Sequence, residues 1–199
     1  LRIVKGEESP ESVNDTVLVL IPKVMTPMVL AQFRPISLCN VLYKIASKVI
    51  ANRLKKILPD IISEEQSTFV PGRLITDNII CAYECLHFMK RSRAKSNSYC
   101  ALKLDMMKAY DRVEWIFLER MLSRLGFHGD FIDLLMACVS SVKYRVRFND
   151  QETDMFVPSR GLHQRDLLSP YLFLLCAEGL SSALAQQEEV RGIEGVRVC

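Results

Sequence analysis

The chain has 199 residues, 49% of them hydrophobic, with only 8 glycines and 8 prolines, a composition that buries a core and excludes a disordered or low-complexity protein. Its 26 basic and 23 acidic residues leave a formal charge of +3, far from the basic excess that by itself marks a nucleic-acid binder, so charge has to be read by position. No run of roughly 18 uninterrupted apolar residues occurs, which argues against a membrane span. The N-terminus lacks the apolar stretch of a signal peptide, and the missing initiator methionine carries the expectation of an excerpt. The seven cysteines, Cys39, Cys81, Cys85, Cys100, Cys138, Cys176 and Cys199, show neither a Cys-x-x-Cys pair nor zinc-ligand spacing. They are expected to be reduced, intracellular core residues.

Residues 16–21 form a short β-branched run ended by Pro22, which predicts a buried strand leading into a loop, with Lys23 just past it. Over residues 41–58 the apolar residues Leu42, Ile45, Ala46, Val49, Ile50, Leu54 and Ile57 recur at helical spacing, and Pro59 follows as a stop. Lys44, Lys48 and Lys55 share the opposite face, either as a solvated surface or as a stripe that tracks phosphates. A second helix is expected from Thr76 or Asp77, either of which can cap it, to the basic cluster Lys90, Arg91, Arg93 and Lys95. With Ser92, Ser96, Asn97 and Ser98 that cluster reads as a loop and as the best internal boundary.

Residues 99–104 are apolar apart from Lys103 and end at Asp105, as a central strand does when it delivers a carboxylate to its own end. Helices are predicted over 113–125, closed by Gly126, and over about 129–141. Residues 142–148 alternate strictly. Val142, Tyr144, Val146 and Phe148 lie on one face and Lys143, Arg145 and Arg147 on the other, which predicts a half-buried strand with three cations on its wet side. Ser169 and Pro170 form a helix start, Ser at the N-cap and Pro at N1, for an apolar helix running to about Gln187.

The segment from Leu102 to Arg112 is the most informative chemically. A carboxylate such as Asp105, at the end of a buried strand, is suited to Mg²⁺, which takes hard oxygen ligands and usually only one or two carboxylates beside substrate phosphates. From pattern alone an equal alternative is that Asp105 caps the next element while Asp111 pairs with Arg112 or a nearby lysine.

Several stretches resemble the reverse transcriptase blocks of plant LINE-type, non-LTR retrotransposons. They are Phe33-Arg34-Pro35-Ile36-Ser37-Leu38, then Gln66-Ser67-Thr68-Phe69-Val70-Pro71-Gly72-Arg73, then Lys103-Leu104-Asp105 through Trp115. Pro158-Ser159-Arg160-Gly161-Leu162 and Leu168-Ser169-Pro170-Tyr171-Leu172-Phe173 follow in the family's order. The resemblance implies an α+β, right-hand polymerase fold, mainly fingers over residues 1–98 and palm with interleaved fingers elements over 99–199, the palm incomplete and the thumb absent. It implies RNA-directed DNA polymerase activity: two-metal nucleotidyl transfer from deoxynucleoside triphosphates onto a DNA primer, templated by RNA, with Mg²⁺ as cofactor. It implies no membrane partner, a location in cytoplasm and nucleus, and nothing about oligomeric state.

On the same resemblance Asp105 matches the first metal-binding palm aspartate. Tyr110 matches the aromatic that screens out the ribonucleotide 2′-OH, with a core aromatic as the alternative, and Gln164 matches the glutamine beside the incoming nucleotide. Arg34 and Arg73 lie in finger blocks whose basic residues contact triphosphate or template, and Lys23 is a weaker candidate. Lys44, Lys48, Lys55 and Arg145 are the nucleic-acid-binding cations.

After Leu162 the family runs Arg-Gln-Gly-Asp-Pro-Leu-Ser-Pro, whereas this chain has His163-Gln164-Arg165-Asp166-Leu167-Leu168-Ser169-Pro170. Arg165 in place of glycine is expected to crowd the nucleotide pocket and strain the turn by roughly 1–3 kcal/mol. Leu167 loses a proline's rigidity, and Met107 stands where the family has serine. The Ala-Asp-Asp hairpin with the other two carboxylates is expected beyond Cys199, so the chain alone is expected to be inactive. A degenerate, non-catalytic nucleic-acid-binding remnant is the competing function. Uncovered sheet edge and apolar surface predict aggregation in isolation.

Overall fold

The computed structural model describes residues 2–91, 99–190 and 192–193. The β-branched run near the start forms β1 (Asp15–Pro22), paired antiparallel to β2 (Phe33–Cys39) with Thr16 opposite Cys39 and Pro22 opposite Phe33. Pro35 lies in β2, which is the sheet edge, where a missing N–H costs no ladder bond. On the other side of β1 runs β3 (Lys143–Phe148), parallel to it, and β4 (Gln151–Glu152) closes the order β2-β1-β3-β4. Asn149 and Asp150, at φ +49° and +60°, make the two-residue turn between β3 and β4, where a primed hairpin turn requires positive φ.

The helix α1 (Val41–Leu54) begins where Asn40 Oδ1 accepts the Leu42 amide at 2.9 Å. Its buried residues are Tyr43, Ala46, Ser47, Ile50, Ala51 and Leu54, so the predicted inner face is rotated and Leu42 and Ile45 are exposed. Tyr43 drives this rotation: its ring enters the core while its hydroxyl donates to Cys138 O at 3.2 Å. Pro59 is not a stop. It sits in the first turn of a new short helix, α2 (Leu58–Ile61), where its missing N–H is harmless.

The helix α3 (Ile75–Arg91) forms close to its predicted start, yet none of its residues is buried. The helices α4 (Trp115–Arg124), α5 (Gly129–Ser140) and α6 (Ser169–Glu189) follow the predicted periodicity, and α4 packs against both α5 and α6. Leu118 and Leu122 of α4, Leu135 of α5, Leu172 and Leu175 of α6, and Ile50 and Leu54 of α1 share one buried cluster. Each such side chain contributes about 1.5–3 kcal/mol of burial. No helix among the described residues is long and apolar enough to cross a membrane.

The strand expected over residues 99–104 is not formed. That segment has no regular structure, and Leu102 and Leu104 are 78% and 64% exposed. A strand is held by ladder bonds from a neighbour, and no described residue pairs with this backbone. Phe148, expected on the inner face of β3, is exposed where β3 runs past the core. Cys39 and Cys138 are buried as expected, whereas Cys81 and Cys100 are exposed. The expected loop and basic residues at 92–98, with Cys199, lie outside the described residues.

Candidate functional site

Three segments far apart in sequence meet beside β2: the strand itself at Arg34, the turn after Met106, and the loop that precedes α6. The turn is shaped by Lys108 at φ +54° and a single 3-10 turn at Tyr110–Arg112. Three bonds fasten it to the loop. Gly161 N donates to Val113 O at 2.8 Å, Leu162 N to Tyr110 O at 2.9 Å, and Trp115 Nε1 to Gly161 O at 2.8 Å. Glycine is required at 161, because φ is +96° and a Cβ would stand 3.2 Å from the Asp111 Cα.

The loop is anchored from beneath by Leu162, His163, Asp166 and Leu168, all buried. The His163 ring stacks on Tyr43 with centroids 5.6 Å apart, lies 5.5 Å from the Tyr144 ring, and places Nδ1 3.8 Å from Cys39 Sγ. Burial depresses its imidazole pKa to about 4, so it is neutral at physiological pH. Asp166 Oδ2 accepts the Leu168 amide at 3.2 Å, and burial pushes its carboxyl above the usual carboxylate range. Ser169, expected as the N-cap, is the first residue of α6 instead, and among the described residues no side chain caps that helix.

Between the buried anchors His163 and Asp166, Gln164 is half-buried and Arg165 exposed. Gln164 Nε2 donates to Asp111 Oδ1 at 3.1 Å. With Arg34, Lys108, Ala109, Tyr110 and Pro170 these two residues line an open cavity of about 420 Å³. The Tyr110 ring stacks on Phe173 of α6, centroids 5.2 Å apart and planes 16° apart, and burial pushes its phenol up. A second cavity of about 300 Å³ is lined by Ile21, Pro22, Lys23, Arg34, Ile36 and Arg165, so Arg34 and Arg165 border both. Among the described residues no acidic side chain lines either one, so the charged groups of both linings are cations.

Of the residues singled out from sequence, Arg34, Tyr110 and Gln164 are brought together, and Lys23 borders the adjoining cavity. Arg73 is placed elsewhere. Its guanidinium donates to the carbonyls of Pro59, Ile62, Ser63 and Gln66, which takes up most of its donors in tying α2 to the turn before α3. Asp105 is exposed and lines neither cavity, although three peptide units keep its Cα within about 11 Å of the Lys108 Cα. Lys44 and Lys48 are exposed on α1, and Lys55 Nζ lies 5.5 Å over the Tyr171 ring. Arg145 and Arg147 share Glu152 across the β3–β4 hairpin, and the Arg147 hydrogen bond holds that carboxyl low.

Among the described residues no group of three or more His, Cys, Asp or Glu side chains is arranged to hold a metal. Sequence reasoning missed Lys108, Asp111 as the partner of Gln164, and Phe173 as the brace of Tyr110. Only Phe173 left a signal: it stands three residues after Pro170, on the first turn of a predicted helix.

Residues 21–197 match the family model described as reverse transcriptase (RNA-dependent DNA polymerase). The chain is 36% identical over 174 residues to a transposon TX1 uncharacterized 149 kDa protein of Xenopus laevis, covering 87% of this chain and 13% of that protein. It is 28% identical over 178 residues to the retrovirus-related Pol polyprotein from type-2 retrotransposable element R2DM of Drosophila melanogaster, covering 89% of this chain and 16% of that protein. A stretch of 50 residues is 46% identical to an uncharacterized mitochondrial protein of Arabidopsis thaliana, covering 25% of this chain and 41% of that protein.

Proposed function

We propose a function from one premise: the chain belongs to the reverse transcriptase (RNA-dependent DNA polymerase) family, with homologues among non-LTR retrotransposons. The function is RNA-directed DNA synthesis for a plant LINE-type element, using deoxynucleoside triphosphates, an RNA template and a DNA primer, in cytoplasm and nucleus. The blocks quoted above and the stretch similar to the Arabidopsis protein support the plant assignment. A right-hand fold, mainly fingers over residues 1–98 and palm over 99–199, belongs to the same proposal. Because the chain spans 13% and 16% of the first two relatives, the activity is proposed for a polymerase domain that carries this segment.

The observation that carries the proposal is the convergence of Arg34, Tyr110 and Gln164 on one cavity free of acidic lining. In it the Arg34 fork meets phosphate oxygens two at a time. Tyr110, braced by Phe173, forms a stiff wall against the sugar, and a stiff wall is what a steric test of the 2′-position needs. Gln164 is oriented by Asp111 through one amide N–H, which leaves its carbonyl oxygen and second N–H for the nucleotide.

Reverse transcriptases use divalent metal ions, which neutralise the triphosphate and activate the primer hydroxyl when bound; Mg²⁺ is the ion proposed here. The exposed carboxylate of Asp105 suits one oxygen ligand. The described residues supply no group of three such ligands, so they do not complete a metal site.

Primer extension on an RNA template, by a polymerase domain carrying this segment, tests the proposal. Asp105→Ala is expected to abolish incorporation and Tyr110→Ala to admit ribonucleotides. Undiminished extension by Asp105→Ala overturns the role of that carboxylate. The second function, a degenerate nucleic-acid-binding remnant, is favoured by Arg165 and Leu167, which replace the family's glycine and proline. It predicts RNA binding that weakens steeply with salt and no extension by the unaltered domain.

A further inference from the structure

We propose that Arg165 is a polyphosphate-binding residue that bridges the two cavities and grips the phosphate tail of the nucleotide together with Arg34, Lys23 and Lys108. The inference rests on the nucleotide-site proposal above and reverses the expectation that this arginine obstructs the site. Its first support is position: Arg165 and Arg34 are the two residues that border both cavities. Lys23 borders the smaller cavity and Lys108 the larger. Four cations thus line two adjoining cavities with no acidic lining, and among the described residues none of the four forms an ion pair. Among the described residues Lys23 Nζ donates only to the Ala31 carbonyl, at 3.2 Å.

The second support is the backbone. Arg165 is held at φ +70° and Lys108 at φ +54°, a region that L-residues with long side chains rarely adopt. Among the described residues, two of the five non-glycine residues with positive φ are therefore cations on the rim of one cavity, and two others, Asn149 and Asp150, serve a hairpin turn. Strain of this kind persists where surrounding contacts over-determine it. Those contacts are present: His163 before Arg165 and Asp166 after it are both buried, and Asp166 holds the Leu168 amide. The loop cannot relax without lifting these residues out of the core.

Charge supplies the third support. Like charges brought together without a counter-charge repel, and a polyanion removes that repulsion. Two carboxyl groups lie outside the lining and offset the four cations only in part: Asp111 accepts from Gln164, and Asp166 is buried beneath the loop. A site with four cations is built to retain a polyphosphate even without a divalent ion.

Isothermal titration of the full 199-residue chain with inorganic tripolyphosphate, and separately with a deoxynucleoside triphosphate, both in EDTA, tests this. The variants are Arg165→Gly, Arg165→Lys and Arg34→Ala, with circular dichroism as the check on folding. Arg165→Asn stands in if the glycine variant fails to fold, because asparagine tolerates positive φ. Loss of a bidentate, charge-assisted contact should weaken both ligands about tenfold or more in Arg165→Gly, and less in Arg165→Lys. If Arg165→Gly binds as tightly as the unaltered chain, or tighter, while Arg34→Ala weakens, the arginine is an obstruction and the nucleotide site survives without it. If the unaltered chain binds neither ligand, or neither Arg165→Gly nor Arg34→Ala weakens binding, both proposals fall.

Discussion

Two regions built from the same apolar residue types pack in opposite ways. In α6, Leu172 and Leu175 are fully buried in one cluster with residues of α1, α4 and α5, and the loop before the helix is pinned by buried His163 and Asp166. In α3, Ile75, Ile79, Tyr83 and Leu86 recur at helical spacing as an apolar stripe that nothing described covers, and residues 99–107 lie beside them in sequence with Leu102, Leu104 and Met106 exposed. A periodic pattern decides which face of an element is apolar, while burial needs a partner that the pattern does not name. The candidate cavity belongs to the first region, and Asp105 belongs to the second.

Core truncation gives the largest expected difference between the regions. Leu172→Ala or Leu118→Ala should cost about 2–5 kcal/mol in urea unfolding, because each leaves a cavity among enclosed neighbours. Ile79→Ala in α3 should stay within about 0.5 kcal/mol. Similar losses at both places would mean that the stripe of α3 is covered in solution.

Acid acts selectively on the packed region. The His163 imidazole titrates near 6.5 when unfolded and near 4 when folded, so unfolding takes up a proton between those values. Stability contributed by the neutral ring is complete above pH 6.5 and falls as pH drops toward 4, by about 3 kcal/mol in total. Asp166 acts in the opposite sense, since its raised carboxyl pKa keeps a proton in the folded state that the unfolded chain releases. His163→Gln isolates the first effect: its urea midpoint should lose the decline from pH 6.5 to 4 that the unaltered chain shows. An unchanged decline would assign acid sensitivity to other groups.

Arg165→Gly separates stability from binding within the same loop. Relief of the left-handed strain should stabilise the chain by about 1 kcal/mol in thermal or urea unfolding, partly offset by the extra freedom of glycine when unfolded. A destabilised glycine variant would show that the guanidinium packs on the loop, and the strain would then have a structural cause.

Much of the packed region was legible because local signals and tertiary partners agree there. The strands β1 and β3 and the helices α4 to α6 form where period and turn residues put them, although β1, read as buried, is mostly half-buried and β3 shows no alternation in exposure. The inner face of α1 was misread because Tyr43 hides a polar handle inside an aromatic that a hydrophobic count ranks below leucine. Ser169 looked like the cap because Ser-Pro is a common helix start, whereas α6 begins at Ser169 itself and Asp166 holds the preceding Leu168 amide from a buried position that sequence does not show. Arg34, Tyr110 and Gln164 were legible only through the resemblance of their blocks, since neither charge nor spacing joins them. Arg73 carried the same block signal, yet its fork fits backbone carbonyls as well as it fits phosphate. The strand at 99–104 had the right residues, and its pairing was beyond reach of any local pattern.

The smallest effect on stability tests the exposed region most directly. Ile79 and Leu86 are 63% and 54% exposed on one stripe of α3, so glutamate at both positions removes little burial and the unfolding free energy should change by under about 0.5 kcal/mol per site. Self-association should respond far more, because a contiguous apolar stripe with the exposed leucines of an irregular segment nearby in sequence is a surface that copies of the chain cover in one another. Sedimentation velocity over a range of concentrations should show the unaltered chain forming larger species and Ile79→Glu with Leu86→Glu remaining mostly monomeric. If the unaltered chain sediments as a sharp monomer, the stripe is not sticky and the contrast between the two regions is one of packing alone. If the double variant still associates, the irregular segment at 99–107 is the adhesive part, and Leu102→Lys with Leu104→Lys should then release it.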